Sequence, residues 1–100
     1  MRDEIIEVVT QYNDGTGVKK SKKTIFAEKK SVAREEFYKA YASGVTPKMI
    51  FSIDPLDYKS CNVYVERKKF KPTHIIYDGE TFAIVREFEI GIHNVEVTVK

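Results

Sequence analysis

Short runs that alternate apolar and polar residues, separated by turn-forming residues, make up most of this chain. Residues 4–12 are mostly β-branched or aromatic, and such side chains suit a pleated strand better than a helix. Residues 13–17 include Asn, Asp and Gly, which tolerate the positive φ that a chain reversal needs. A second strand is expected at about residues 22–28. The pattern therefore predicts an N-terminal hairpin with a long, mobile, lysine-rich tip.

The spacing of apolar residues becomes helical after Ser31, which is suited to cap a helix. Gly44 can adopt the left-handed conformation that ends a helix, and Pro47 prevents its continuation. The apolar residues that would share one face are Ala33, Phe37, Ala40 and Tyr41. We predict one short α-helix over about residues 32–43, with Phe37 and Tyr41 packed inward and Tyr38 exposed.

The second half of the chain returns to alternation. Residues 49–53 form a predicted strand that stops at Asp54-Pro55, which we interpret as a turn, and residues 62–67 form another short strand. Asp78-Gly79 lies between two apolar runs and matches a two-residue primed hairpin turn, in which Ile75 would face Phe82. A last strand places Val95, Val97 and Val99 on one face.

About six short strands with one short helix indicate a mainly β fold. We predict a small antiparallel β-barrel or sandwich, with the helix covering an open end. A chain of 100 residues is long enough to bury one modest core, so residues 1–100 are expected to form a single domain.

Composition and charge narrow the class of protein. Hydrophobic residues make up 42% and charged residues 32% of the chain, which is typical of a globular domain and unlike a disordered tail. The N-terminus has no basic stretch followed by an apolar run, so no signal peptide is expected. One cysteine, Cys61, excludes an internal disulfide, and a reducing cytoplasm fits.

Candidate catalytic chemistry is sparse. Cys61 has only His74 and His93 as potential bases, and no local pattern links the three residues. The two histidines have no carboxylate or cysteine at metal-ligand spacing. Residues 15–20 resemble a phosphate-binding loop only superficially, because the Walker spacing is absent. The sequence therefore predicts no enzyme activity, no metal and no cofactor.

Basic residues are concentrated in two clusters, although the net charge is only +2. The first consists of Lys19, Lys20, Lys22 and Lys23, and the second of Arg67, Lys68, Lys69 and Lys71. Each cluster has an aromatic residue nearby, Phe26 or Phe70. Lysines in such clusters can attract phosphates or an acidic protein surface, whereas solvated loop charge is the simpler interpretation.

Taken together in order and spacing, these segments resemble the phage head-closure, or head-tail joining, proteins, particularly those of phages and prophages of low-GC Gram-positive bacteria. The segments that carry the resemblance are residues 3–9, Gly15, Ala27-Glu28, Ser31-Val32, residues 34–38, residues 44–47, residues 76–86 and residues 95–97. These segments cover nearly the whole chain. One departure is the segment of residues 59–73, which is longer and more basic than is typical of the family at this place.

The resemblance implies a structural virion assembly protein. Such a barrel would form a ring of identical copies beneath the portal of the filled head, close the DNA exit channel and present a docking surface to the tail. It implies as partners the portal or an adaptor protein, a tail completion protein and packaged double-stranded DNA in transit, with no membrane. The protein would occupy the host bacterial cytoplasm during assembly and then the head-tail interface of the virion.

Candidate assembly residues are the two lysine-rich clusters together with Arg34, Tyr38 and Tyr41 of the predicted helix. Asp78 and Gly79 are expected to have a structural role in their turn.

Two alternatives stay open at this point. One is a small barrel that binds single-stranded nucleic acid through basic grooves and stacking aromatics; the other is a small enzyme whose groups converge only in the fold.

Overall fold

The computed structural model describes residues 3–31 and 47–100. The predicted mainly β fold is confirmed. The described elements are β1 (Glu4–Asn13), β2 (Val18–Lys30), β3 (Met49–Ile53), α1 (Pro55–Lys59), β4 (Val63–Val65), β5 (Lys68–Phe70), β6 (His74–Tyr77), β7 (Glu80–Ile90) and β8 (Asn94–Val99). The helix predicted over residues 32–43, with Arg34, Tyr38 and Tyr41, lies outside the described residues.

Six strands close into an antiparallel barrel in the order β1-β2-β3-β8-β7-β6, and β4 and β5 form a separate two-stranded sheet. The register pairs Ile6 with Ile25 and Phe51 with Val97, so alternate residues of each strand face the barrel interior. Phe51 is fully buried and its ring meets that of Tyr77 edge-on at 5.3 Å. Burial of each such side chain contributes about 1.5–3 kcal/mol to folding.

The turn between β6 and β7 is the one that the sequence predicts. Asp78 and Gly79 both have positive φ, at 51° and 79°, as a type I′ turn requires. Ile75 pairs with Phe82 in the register, and both side chains are buried in the core. The local Asp-Gly signal therefore fixes both the turn and the alignment of the two strands.

The N-terminal hairpin differs from the prediction. β2 begins at Val18, so the first lysine cluster lies on a strand paired with β1 and not in a long loop. The strand is longer than predicted because residues distant in sequence contact the hairpin. Tyr12 packs against Phe70 of β5 at 6.0 Å between ring centroids, and the Thr10 hydroxyl donates to the Cys61 carbonyl at 2.6 Å. These contacts stabilise the extension of both strands beyond the barrel.

The Asp54-Pro55 turn is the start of a one-turn helix, α1. The Asp54 carboxylate caps the helix by accepting hydrogen bonds from the Leu56 and Asp57 amides, and Pro55 occupies the first turn. Tyr58 and Cys61 are buried in the barrel core. Because α1 follows directly after β3, these two side chains close the end of the barrel at which β3 finishes.

β7 continues well beyond its pairing with β6. A bulge between Ile84 and Arg86 shifts its register against β8, after which Glu87 pairs with Val97 and Glu89 with Val95. Since both valines are buried in the core, the two glutamates stand on the interior-facing side of the strand. The bulge thereby places acidic side chains beside α1 and β5.

Candidate functional site

The four lysines of β2 are divided between two faces of the strand. Lys19 and Lys23 share the side of Ile25, which faces the core, because side chains two residues apart point the same way. Lys20 and Lys22 point to the outer face. The sequence presents these residues as one cluster, and the strand separates them into two pairs with different surroundings.

Lys19 and Lys23 are both engaged within the molecule. The Lys19 ammonium lies 2.6 Å from a carboxylate oxygen of Asp14, and the Lys23 ammonium donates to Ser60 Oγ at 2.8 Å. The hydrogen bond from Lys19, with further ones from Thr16, holds the pKa of Asp14 well below its usual range. The same pairing raises the pKa of Lys19. Asp14 thus offsets part of the positive charge of this pair.

Lys20 and Lys22 line a groove of about 140 Å³ on the outer face of the barrel. Val9 forms part of its floor and is only 3% exposed. Its other lining residues are His74, Ile76 and Thr81. Within the part of the chain that the structure describes, no acidic side chain lines this groove. Glu7, two residues before Val9 on β1, lies on the same face and pairs with Ile76 at the margin of the groove.

The second basic cluster is also divided. Arg67 lies in the β4–β5 turn and Lys68 begins β5, both exposed to solvent. Lys69 and Lys71, in contrast, line a cavity of about 210 Å³ that is shared with Glu87 and Glu89. The glutamates that the β7 bulge turns inward therefore place negative charge next to two of these lysines.

Tyr58 lines the same cavity as Lys69 and Lys71. Its hydroxyl is buried and has no hydrogen-bond partner among the described residues. Burial raises the pKa of Tyr58 far above its usual value, and the nearby Glu87 carboxylate adds to the effect. The phenol therefore stays neutral at alkaline pH values at which an exposed tyrosine ionises.

A groove of about 480 Å³ separates α1 from the β7–β8 turn. Leu56 and Ile92 line it and are 78% and 83% exposed. Pro55, Lys59 and His93 contribute to the same groove. Two large apolar side chains exposed beside one groove form a candidate contact surface. The sequence-based predictions did not include these two residues, although an isoleucine between Gly91 and His93 in a turn is a detectable signal.

A second exposed apolar feature lies on the β1–β2 hairpin. Ile5 and Phe26 face each other across the ladder, and both are more than half exposed. Phe26 lies four positions after Lys22 on β2, which separates their Cα atoms by about 13 Å. The Phe26 ring therefore lies opposite Ile5 and is not part of the groove that Lys20 and Lys22 line.

The candidate catalytic residues have separate surroundings. Cys61 is buried, its thiol donates to the Asp57 carbonyl at 3.3 Å, and burial raises its pKa. A nucleophilic cysteine instead requires a lowered pKa, because the thiolate is the reactive form. His74 is hydrogen-bonded to Thr73 Oγ1, and His93 lies in the β7–β8 turn. Across residues 3–31 and 47–100, no group of three or more His, Cys, Asp or Glu side chains is arranged to hold a metal ion.

No protein-family model matches this sequence, and comparison with curated proteins gives no significant match. In the described ranges, none of the helical segments has the length and apolar character needed to span a membrane.

Proposed function

We propose that this chain is a structural virion assembly protein of the head-closure type. In this role, copies of the chain form a ring between the portal or adaptor of the DNA-filled phage head and the tail completion protein. The ring closes the channel through which packaged DNA passes. The family resemblance of the sequence motivates this assignment, and the exposed apolar surfaces of the small closed barrel support it.

The observation that carries the proposal is the groove that contains Leu56 and Ile92. The barrel is closed through six strands, although β2 pairs with β3 only over Ala27–Lys30 and with β1 along its whole length. Side chains on turns and outer faces are available for contacts between copies. Leu56 and Ile92 supply such contacts at the end of the barrel where α1 and the β7–β8 turn meet.

Ring formation also requires two different surfaces on each copy, because head-to-tail contacts join unlike patches. The Ile5–Phe26 pair lies on different secondary-structure elements from Leu56 and Ile92, which gives each copy a second apolar surface. Both patches are small, so a single contact would be weak. Attachment to a symmetric portal would strengthen these contacts through multivalency. The isolated chain should therefore be a monomer or a weak oligomer.

Sedimentation of the purified protein with and without portal complexes tests this function. The wild-type chain should sediment with the portal as a ring, and the double variant Leu56→Ser/Ile92→Ser should lose at least tenfold in apparent affinity. Tyr64→Ser is a matched control, since Tyr64 is a similarly exposed apolar residue on β4. Failure to bind any portal or adaptor complex would contradict the assignment. A stable ring formed by the protein alone would refute assembly on a template.

A single-stranded nucleic-acid-binding barrel is the second candidate. The observation that favours it is that Lys20, Lys22 and Phe26 share the outer face of β2, where lysines could contact a backbone and the ring could stack on a base. Tight binding of single-stranded oligonucleotides, in preference to duplexes and with loss of affinity in Phe26→Ala, would support this alternative.

A further inference from the structure

We propose that the outer-face groove formed by Lys20, Lys22 and His74 binds the phosphate backbone of duplex DNA. The inference rests on the proposed function, in which packaged DNA passes through the ring. It goes further by assigning the contact to one face of the barrel and to two of the eight clustered basic residues.

The geometry places the cationic groups on a single rigid surface. Lys20 and Lys22 are two positions apart on one strand, which separates their Cα atoms by about 7 Å. Val9 pairs with Lys22 on one side and with His74 on the other, so these three residues form a row across β2, β1 and β6. All three strands belong to the closed barrel. The row is therefore held by ladder hydrogen bonds and does not depend on a loop.

The electrostatic surroundings distinguish this pair from the other clustered basic residues. Lys19 is paired with Asp14, and Lys69 and Lys71 share their cavity with Glu87 and Glu89. The lysine groove has no acidic lining residue within the described ranges. A phosphate that enters it meets two ammonium groups, the His74 ring and the Thr81 hydroxyl. These are the groups that bind backbone phosphates in protein–DNA interfaces.

The lining of the groove favours backbone contacts over base stacking. Its described residues include no Phe, Tyr or Trp, and Phe26 lies opposite Ile5 at another level of the hairpin. Contacts to phosphate carry no sequence information, which suits a surface along which any packaged sequence must pass. Two lysines give weak binding in one molecule, and repetition around a ring would multiply it.

The test compares two charge-matched double variants of the full chain. Lys20→Gln/Lys22→Gln removes the proposed contacts, whereas Lys19→Gln/Lys23→Gln removes the same charge from the opposite face of the same strand. Each protein, labelled with ¹⁵N, is titrated with a short DNA duplex by NMR, with salt varied from about 20 to 100 mM. In the wild type, amide shifts should centre on Val9, Lys22 and His74.

Two phosphate contacts correspond to a salt slope of about 1.8, because each contributes about 0.9 in log affinity against log salt. Over the fivefold salt range, the wild type should therefore lose about 18-fold more affinity than the Lys20/Lys22 variant. The Lys19/Lys23 variant should retain the slope and the shift pattern of the wild type.

Equal losses in the two double variants would overturn the proposal, since net charge and not this face would then govern binding. The proposal would also be overturned if the chemical-shift changes centred on β5, or if no duplex bound at about 20 mM salt. Equal chemical-shift changes with poly-glutamate would overturn it as well. A preference for single strands would overturn it in favour of the second candidate function. Portal binding in the sedimentation experiment is an independent readout, so this inference can fail while the proposed function holds.

Discussion

Replacement of Gly79 tests how far one turn determines the barrel. Gly79 has φ +79°, a conformation that side chains with a Cβ rarely adopt. No atom lies within 4 Å of the position that an added Cβ would occupy. Substitution to Ala therefore creates no collision with the rest of the protein. Any loss of stability must come from the backbone conformation itself.

The expected loss follows from that single cause. A non-glycine residue in the left-handed region costs about 1–2 kcal/mol, and a β-branched side chain costs more. The unfolding entropy is about 2.1 cal/mol/K per residue, or about 0.21 kcal/mol/K for a chain of this length. Gly79→Ala should therefore lower Tm by about 5–10 °C, and Gly79→Val should lower it at least as far.

Thermal unfolding followed by circular dichroism measures the effect. Gly79→Asn is the matched control, because asparagine tolerates positive φ and should lose clearly less stability than alanine. If Gly79→Val unfolded at the wild-type temperature, the type I′ turn would not be needed for strand pairing. Equal losses in Asn and Val variants would also contradict the argument, because they would show that the cost is not conformational.

Three further predictions concern the core and its ionisable groups. Phe51→Ala should destabilise the protein by about 3–5 kcal/mol in urea unfolding, whereas Phe88→Ala, at an exposed position, should change stability by less than about 0.5 kcal/mol. Because the pKa of Tyr58 is raised in the folded state, the unfolded state releases its proton first, and stability should fall above about pH 10 by up to about 1.4 kcal/mol per pH unit. Tyr58→Phe should remove that part of the alkaline decline, and an unchanged decline would show that other groups cause it. Cys61 should react with iodoacetamide at pH 8 many times more slowly than in the urea-unfolded chain, and equal rates would contradict its burial.

Local sequence signals determined those parts of the fold whose conformation depends on near neighbours. Asp78-Gly79 can adopt a type I′ turn because both residues tolerate positive φ, and this aligns Ile75 with Phe82 whatever the rest of the chain does. In β3 and β8, apolar residues alternate with other residues, so each strand has an apolar face that must be buried against the rest of the protein. Such signals were sufficient to predict a mainly β chain that forms a small antiparallel barrel or sandwich, and the pairing of the strands decides for the closed barrel.

Side-chain environments depended on contacts between distant parts of the chain. The sequence groups Lys19, Lys20, Lys22 and Lys23 together, but a strand assigns alternate residues to opposite faces, and only the tertiary structure shows that β2 extends through all four. That extension is stabilised by Tyr12 against Phe70, residues separated by most of the chain. Asp14 then pairs with Lys19, while Lys20 and Lys22 line a groove that has no acidic residue among its described lining.

The candidate surfaces likewise arise from closure of the barrel. Leu56 and Ile92 are far apart in sequence and meet at one groove because α1 follows β3 at the end where β7 turns into β8. No local pattern encodes that meeting, since it depends on the order in which six strands pair. The sequence by itself determined most of the strands, the Asp78-Gly79 turn and the apolar faces of the strands that flank it. Tertiary pairing decided which charges are offset and which apolar side chains remain exposed, because both depend on neighbours that only the closed sheet supplies.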